Sequence, residues 1–413
     1  KYFVSGGFDR QEGMLKVIPD VYKKYNMRSK IDFNINKWIT MSNNTSFFGS
    51  TYDYQGRSSV DATLGYVGRH ALACVPLVNP DGSQIRETPY ASYAVGNSRH
   101  SQIIDGKHPN VDKKTDFTTT FRLNINPIRQ LTVTADFTYR FYQTRNQNRG
   151  NNVYWRQVPD EELRIWDSGA GLNDLRESIN TRNYYAVNAF ATYKETFAEN
   201  HNFQIMAGYN YERLNIVNRG MSAENLISED LTDFNLVGVN SNGDKISDVT
   251  GSQNQYALEG IFGRINYDFK GKYLLELSGR YDGTSRFGKG HRWGFFPSGS
   301  IGYRFTEEIF YKATNAAQYL SNGKVRASWG QIGNEAIGNN MFISTIAGPS
   351  NYLWLQNGAT NPTKYSSTPR LVSSQLTWER VETVDVGVDL GFFNNSLNLN
   401  FDWFQRDTKD MLA

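Results

Sequence analysis

Chemistry in this chain would have to come from few side chains. The five histidines, His70, His100, His108, His201 and His291, stand alone, none with a ligand partner at metal-binding spacing. The stretch VNSNGDKISD (239–248) loosely resembles a calcium loop, but its glycine falls in the wrong place for an EF-hand, and it reads as a polar loop. SWGQIGNEAIGNN (328–340) is glycine-rich after a strand pattern, yet no helix pattern follows, so it is not a dinucleotide fingerprint. Its glycines suit strand-to-loop turns. No G-x-S-x-G nucleophile elbow is present. Glu161–Glu162 and Glu307–Glu308 are neighbours along the chain and read as solvated surface. The single cysteine, Cys74, excludes an internal disulfide framework and a cysteine-based metal site. No catalytic constellation, metal set or cofactor motif emerges, so the chain is expected not to be an enzyme and to need no cofactor.

Binding residues are a different matter. NNVYWRQVPDEELRIWDSG carries Tyr154, Trp155, Arg156 and Trp166, and GPSNYLWLQNGATNPTKY carries Tyr352, Trp354 and Tyr365. Aromatics beside amides and arginine can stack on sugar faces, or grip a peptide through apolar contact and backbone hydrogen bonds. The alternative is that they pack loop against loop. Tyr154, Trp155, Arg156, Trp166, Tyr352 and Trp354 are the candidates for contact with substrate or a covering partner.

The elements that must position these loops are strands. Helical periodicity is nearly absent and period-two alternation is everywhere. In FTTTFRLNINPIRQLTVTADFTYRFY, Phe117, Thr119, Phe121, Leu123 and Ile125 share one face; after a turn at 126–130, Leu131, Val133, Ala135, Phe137, Tyr139 and Phe141 share it again. The opposite face carries Arg122, Asp136 and Arg140 among threonines. Further hairpins are expected around 270–272 and 393–396, within RSKIDFNINKWITMSNNTSFF (28–48) and NAFATYKETFAENHNFQIMAGYNYER (188–213), and about the Gly-, Lys- and Arg-rich middle of 279–305. The strands run to ten residues or more, against a usual ~5–6 in soluble sheets. Tight turns alternate with long polar segments, roughly 50–116, 145–183, 214–254 and 334–378. Short turns at one end and long loops at the other fit an outer-membrane barrel, apolar outside and polar within. Tyr267, Tyr273, Tyr303 and Trp403 would be interfacial girdle residues. Pro297 is awkward in a central strand and is expected to mark a bulge or the start of a strand. A soluble propeller or solenoid is the alternative, but no fixed-period repeat is found.

Composition supports the barrel. With 44 Lys+Arg against 41 Asp+Glu the net charge is +3, which argues against a nucleic-acid binder. Apolar residues make up only 39% while aromatics reach 14%, a poor recipe for an aliphatic soluble core. No run of ~18 apolar residues offers a membrane helix. Lys1 opens directly on KYFVSGGFDRQEG, which reads as the inside of a strand, so the chain is expected to be part of something longer.

Three segments carry a family likeness. SGRYDGTSRFGKGHRWGFFPSGSIGYRFTEE (278–308), KVRASWGQIGNEAIGN (324–339) and LTWERVETVDVGVDLGFFNNSLNLNFDWFQRDTKDML (376–412) resemble the barrel of SusC/RagA-like TonB-dependent transporters. KYFVSGGFDRQEGM with YKKYNMRSKIDFNIN is similar to an earlier section of that barrel. The resemblance implies an all-β, antiparallel transmembrane barrel of 22 strands closed by a plug. It also implies the outer membrane of a Gram-negative bacterium of Bacteroidetes type, in contact with lipid and lipopolysaccharide. It implies active import of oligosaccharide or peptide fragments, a SusD-like surface lipoprotein as lid, and TonB as the energy source.

Residues 1–413 are then expected to form a partial barrel domain of about thirteen strands. The plug, the TonB-contacting segment and the final strands are expected to lie outside this sequence. The loops rather than the strands would set specificity. An oligosaccharide importer is the first expectation and an oligopeptide importer the second. A passive porin or surface adhesin barrel is the alternative of a different class.

Overall fold

A computed structural model describes residues 1–14, 19–56, 76, 78–86, 107, 109–165, 173–239, 242–346, 350–352, 363–365, 372–373 and 375–411. The alternating segments form strands β1 (Tyr2–Glu12), β2 (Val21–Asn34), β3 (Ile39–Gln55), β4 (Pro109–Ile128) and β5 (Leu131–Gly150). Within the next connection lie the two-residue strands β6 (Tyr154–Trp155) and β7 (Arg164–Ile165). Then come β8 (Asp174–Phe197), β9 (His201–Glu224), β10 (Ser247–Phe269), β11 (Tyr273–Thr284), β12 (Trp293–Tyr303) and β13 (Leu320–Asn334). The short β14 (Ser350–Tyr352) and β15 (Thr363–Tyr365) precede β16 (Glu379–Phe392) and β17 (Leu397–Lys409). Thirteen of these make one sheet in chain order, β1-β2-β3-β4-β5-β8-β9-β10-β11-β12-β13-β16-β17, antiparallel throughout. β6 pairs with β7 and β14 with β15 inside the loops.

Register decides what each face meets. Leu123, Ala135, Ala189, Tyr209, Ile261, Tyr281 and Phe295 lie side by side across seven strands. One residue along, the parallel row reads Arg122, Asp136, Asn188, Asn210, Gly260, Asp282 and Gly294. A slip of one residue in any strand would bring the polar set into the apolar row, so the alternation itself locks the register. Among the described residues no layer covers the apolar row: Ile261 is 58% and Phe295 60% exposed. Such a face finds its solvent in lipid, where the strand ladder satisfies the backbone groups it pairs. Tyr267, Tyr273 and Tyr303 sit on that face at the tight-turn end, where Phe203 and Tyr267 are 4.6 Å apart and Tyr273 and Tyr303 5.1 Å between ring centroids. Trp403 shares the face on β17, opposite Val386.

The tight turns fall where expected. At 270–272, Lys270 and Gly271 both adopt positive φ, the left-handed pair that lets a short hairpin follow the twist of its strands.

Two expectations change. The long connections are shorter than the polar segments suggested: 56–108, 151–173 and 225–246 rather than 50–116, 145–183 and 214–254. Strands of up to 24 residues far exceed the ~9–11 needed to cross a bilayer. Their outer parts rise beyond the bilayer, where loops rather than lipid pack on them, so alternation vanishes from the sequence while the ladder continues. Pro297 is neither a bulge nor a strand start. It pairs in unbroken register with Gly279 in the middle of β12. The β12–β13 ladder ends one residue away, at Ser298 opposite Gly330, so the missing N–H falls where that ladder stops.

Candidate functional site

The buried residues cluster at the roots of the long loops. The first root gathers the outer ends of β5, β8 and β9. Leu175, Ala223, Leu226 and Val237 form a small core with Phe234 against it. Beside it Arg149, 1% exposed, is held by carbonyls and an amide: Nη1 donates to the Asp174 carbonyl at 3.1 Å, and Nη2 to Asn173 Oδ1 and the Ser228 carbonyl, both at 2.9 Å. Asn151 adds donations to the Lys107 carbonyl at 2.6 Å and the Glu229 carbonyl at 2.8 Å. Three loops are thereby fastened to one strand end.

The sequence candidates Tyr154, Trp155 and Arg156 lie on this root, and strand alternation sends successive side chains to opposite sides. Tyr154 is 37% exposed and its hydroxyl donates to Glu229 Oε1 at 2.8 Å; that bond, with burial behind it, raises the phenol's pKa. Trp155 points the other way and is 4% exposed beside Val153, with the guanidinium of Arg86 at 5.7 Å and that of Arg164 at 5.3 Å from its ring. Trp155 is therefore covered by its own chain, and cation–π contact holds it there. Arg156 reaches Asp81 with Nη1 at 2.8 Å, and its N–H donates to the Gln84 carbonyl at 2.9 Å. The Asp81 carboxyl sits below the usual carboxylate range because the Ser83 hydroxyl and N–H donate to it and Arg156 stands by. Trp166 lies outside the described residues.

The second root belongs to the connection between β13 and β16. Phe287, Phe296 and Trp378 are buried together, with Ile337 and Leu376 packed on them. Trp378 meets Phe296 edge-on at 5.3 Å and Phe287 at 5.7 Å, and its Nε1 donates to the Arg292 carbonyl at 2.8 Å. Arg286 pairs with Glu335 at 2.7 Å and lies 4.2 Å over the Tyr256 ring. Both ends of the connection are thus pinned to the β11–β12 turn. Tyr352 is on this connection, in β14 opposite Thr363; Trp354 lies outside the described residues. The structure brings Tyr154, Trp155 and Arg156 together and does not place Trp166 or Trp354.

Between the roots and the tight turns runs the polar wall. Arg122 grips Asp136 with two bonds, 2.6 and 3.1 Å, and Arg140 grips Asp116 at 2.9 and 2.6 Å. Arg264 pairs with Glu276 at 3.6 Å. Arg326 on β13 is shared by Asp385 at 3.1 Å, Asp389 at 3.3 Å and Asp402. A concavity of about 870 Å³ opens on this wall among Lys194, Gln204, Asn266, Glu276, Lys324 and Arg326. Paired charges of both signs give a hydrated surface that favours neither anions nor cations strongly.

Arg149, Asn151, Glu229 and Trp378 were not singled out from sequence. They sit in polar runs such as QNRGNN, where nothing periodic separates a clamp from a solvated side chain.

Comparison with known proteins agrees with this architecture. Residues 22–413 match the family described as TonB dependent receptor-like, beta-barrel. Two TonB-dependent receptors of Formosa agariphila are 29% and 26% identical to it over the whole of this chain, which spans 36% and 39% of their lengths. The TonB-dependent receptor SusC of Bacteroides thetaiotaomicron is 35% identical over 171 residues, 41% of this chain and 16% of that protein. Among solved structures, the RagAB peptide transporter superposes with a TM-score of 0.74 at 22% identity, covering all of this chain and 43% of that one. The RagAB peptide importer in its open-open state gives 0.76 at 23% identity, with coverages of 100% and 42%. The lipid-facing rows, the polar wall and the match over nearly the whole chain agree: this chain, similar to SusC and in fold to RagAB, belongs to the TonB-dependent receptor β-barrel family of the bacterial outer membrane.

Proposed function

We propose that the chain is the wall and loop platform of a TonB-dependent importer that takes up oligosaccharides under a SusD-like lipoprotein lid. The observation that carries this reading is the pairing of a charge-balanced, hydrated wall with loops fastened rigidly at their roots. A wall whose charges are already paired passes a neutral oligomer without trapping it. Selection is left to the loops, and Tyr154, held upright by Glu229, is the described aromatic best presented for stacking. Trp155 acts from beneath by fixing that strand, and Arg156 closes the turn through Asp81. Trp166, Tyr352 and Trp354 join them on their loop positions alone. TonB would act through a plug lying outside these residues.

The loop aromatics favour a glycan, whereas RagAB is a peptide importer. An oligopeptide is the second reading, supported by the likeness in fold to RagAB. The test uses the complete protein with its lipoprotein partner, extracted in mild detergent. Mass spectrometry of what co-purifies, followed by calorimetric titration, should show oligosaccharide binding that Tyr154→Ala weakens by about tenfold, the scale of one lost stacking contact. Bound peptide would replace the first reading with the second. Uptake that survives collapse of the proton-motive force, with no partner lipoprotein, would replace both with a passive barrel.

A further inference from the structure

The tight-turn end of the sheet carries one connection unlike its neighbours. Residues 304–319 join β12 to β13 through a 3₁₀ turn (Phe305–Glu307), a single α-helical turn α1 (Ile309–Lys312) and a second 3₁₀ turn (Asn315–Gln318). The other described connections at that end have two to four residues. Glu308, expected from sequence to be plain solvated surface, is tied down instead. Its carboxylate accepts Lys272 Nζ at 2.9 Å and the Tyr273 hydroxyl at 2.8 Å. Tyr273 belongs to the lipid-facing row, so this bond fixes the start of α1 against the outer side of the rim. Tyr311 turns back the other way, its ring edge-on to Phe305 at 5.7 Å and its hydroxyl donating to the Leu320 carbonyl at 3.0 Å. What remains outward is apolar: Ile309 is 82% and Phe310 68% exposed. Basic residues lie at the same rim: Lys272 pairs with Glu308 and Lys312 with Glu307, Lys270 stands over the Phe269 ring, and Arg304 donates to the Gly271 carbonyl.

Two adjacent large apolar side chains held out by a tethered turn need a covering surface. A rim that already meets lipid supplies one, because Glu308, the residue before the patch, is bonded to Tyr273 of the lipid-facing Tyr273–Tyr303 stack. The basic neighbours fit the phosphates of the headgroup layer, where lysine and arginine stems cross from apolar to wet surroundings. We propose that Ile309 and Phe310 form a wedge seated in the periplasmic leaflet of the outer membrane, with Glu308 and Tyr273 setting its depth. The occupant is phospholipid, and the wedge anchors the barrel at the rim segment where the sheet leaves its hairpin pattern.

The test uses the full-length protein in cells and then in vesicles of phosphatidylethanolamine and phosphatidylglycerol. A photoreactive benzoylphenylalanine in place of Phe310 should yield lipid adducts on illumination. An adduct to another protein, or to a second copy of this one, would overturn the proposal, as would no adduct at all. In the vesicles, Phe310→Cys carrying a fluorophore, with other cysteines replaced, should be quenched by lipids brominated near the headgroup and spared by aqueous iodide. The reverse order would overturn it. Tyr273→Phe keeps the ring in the lipid-facing row but releases Glu308. It should reduce lipid quenching at position 310 while the heat-modifiable migration of the barrel stays unchanged. Undiminished quenching in that variant would refute the tether.

Discussion

Replacing Trp378 by Ala tests whether the long connection after β13 is held by its root. The indole is 6% exposed, packs edge-on against Phe287 and Phe296, and donates one hydrogen bond to the Arg292 carbonyl. Removing a buried tryptophan costs about 3–5 kcal/mol, of which each aromatic pair accounts for ~0.5–1.5 and the hydrogen bond ~1. At ~1.4 kcal/mol per tenfold, local opening of the root should rise by roughly two to three and a half orders of magnitude. The rise should stay local, because Phe296 on β12 is the one member of the cluster that belongs to the thirteen-stranded ladder. Hydrogen exchange on the full-length protein should show faster exchange in peptides covering 285–292, 335–346 and 375–378, and none in β8 or β9. Trp378→Phe keeps the ring contacts and loses the N–H, so its effect should be about fivefold, the worth of ~1 kcal/mol. Unchanged exchange in the alanine variant would refute the idea that this cluster pins the loop. Equal effects of Ala and Phe would refute the division between ring packing and hydrogen bond.

Two other predictions concern the wall and the first root. Gly387 lies beneath the Arg326 guanidinium, where an added Cβ would come 2.5 Å from Asp402 Oδ1 and 2.7 Å from Arg326 Cζ. Gly387→Ala should therefore dislodge the arginine from its three aspartates and lower the temperature at which the barrel loses its heat-modifiable migration; an unshifted transition would show that the clamp contributes nothing. The Asp81 carboxyl has its pKa depressed in the folded loop, so the stability it gives is present above the unfolded carboxylate pKa of ~3.9 and is lost as pH falls through the lower folded value. Exchange at residues 78–86 should accelerate below that range, and Asp81→Asn should remove the pH dependence. A pH-flat profile in the unsubstituted protein would refute the clasp between Asp81 and Arg156.

Strand identity, register and membrane face were all legible in the sequence. Alternation such as Leu131, Val133, Ala135 against Thr132, Thr134, Asp136 specifies a two-sided strand, and a one-residue slip is prohibited by the charge it would expose to lipid. The hairpin turns were legible because short turns demand particular backbone conformations, as at Lys270–Gly271. The strand extensions beyond the membrane were not, since there no lipid face imposes alternation and packing against the loops decides what is covered. The place of Pro297 was not legible either, because its tolerance depends on where a neighbouring strand stops pairing, which no local pattern records.

The loop roots belong to tertiary structure alone. Tyr154 and Trp155 are adjacent and chemically similar, yet one faces out and the other is buried between guanidiniums supplied from positions 86 and 164. The Arg149 clamp depends on carbonyls from Asp174 and Ser228, and Trp378 on Phe287, Phe296 and the Arg292 carbonyl. Periodicity is a property of consecutive residues sharing one solvent boundary, so the sequence by itself determined the sheet and its two faces. The buried clamps join segments tens of residues apart through backbone groups that every residue carries, and only the folded chain decides which of them meet.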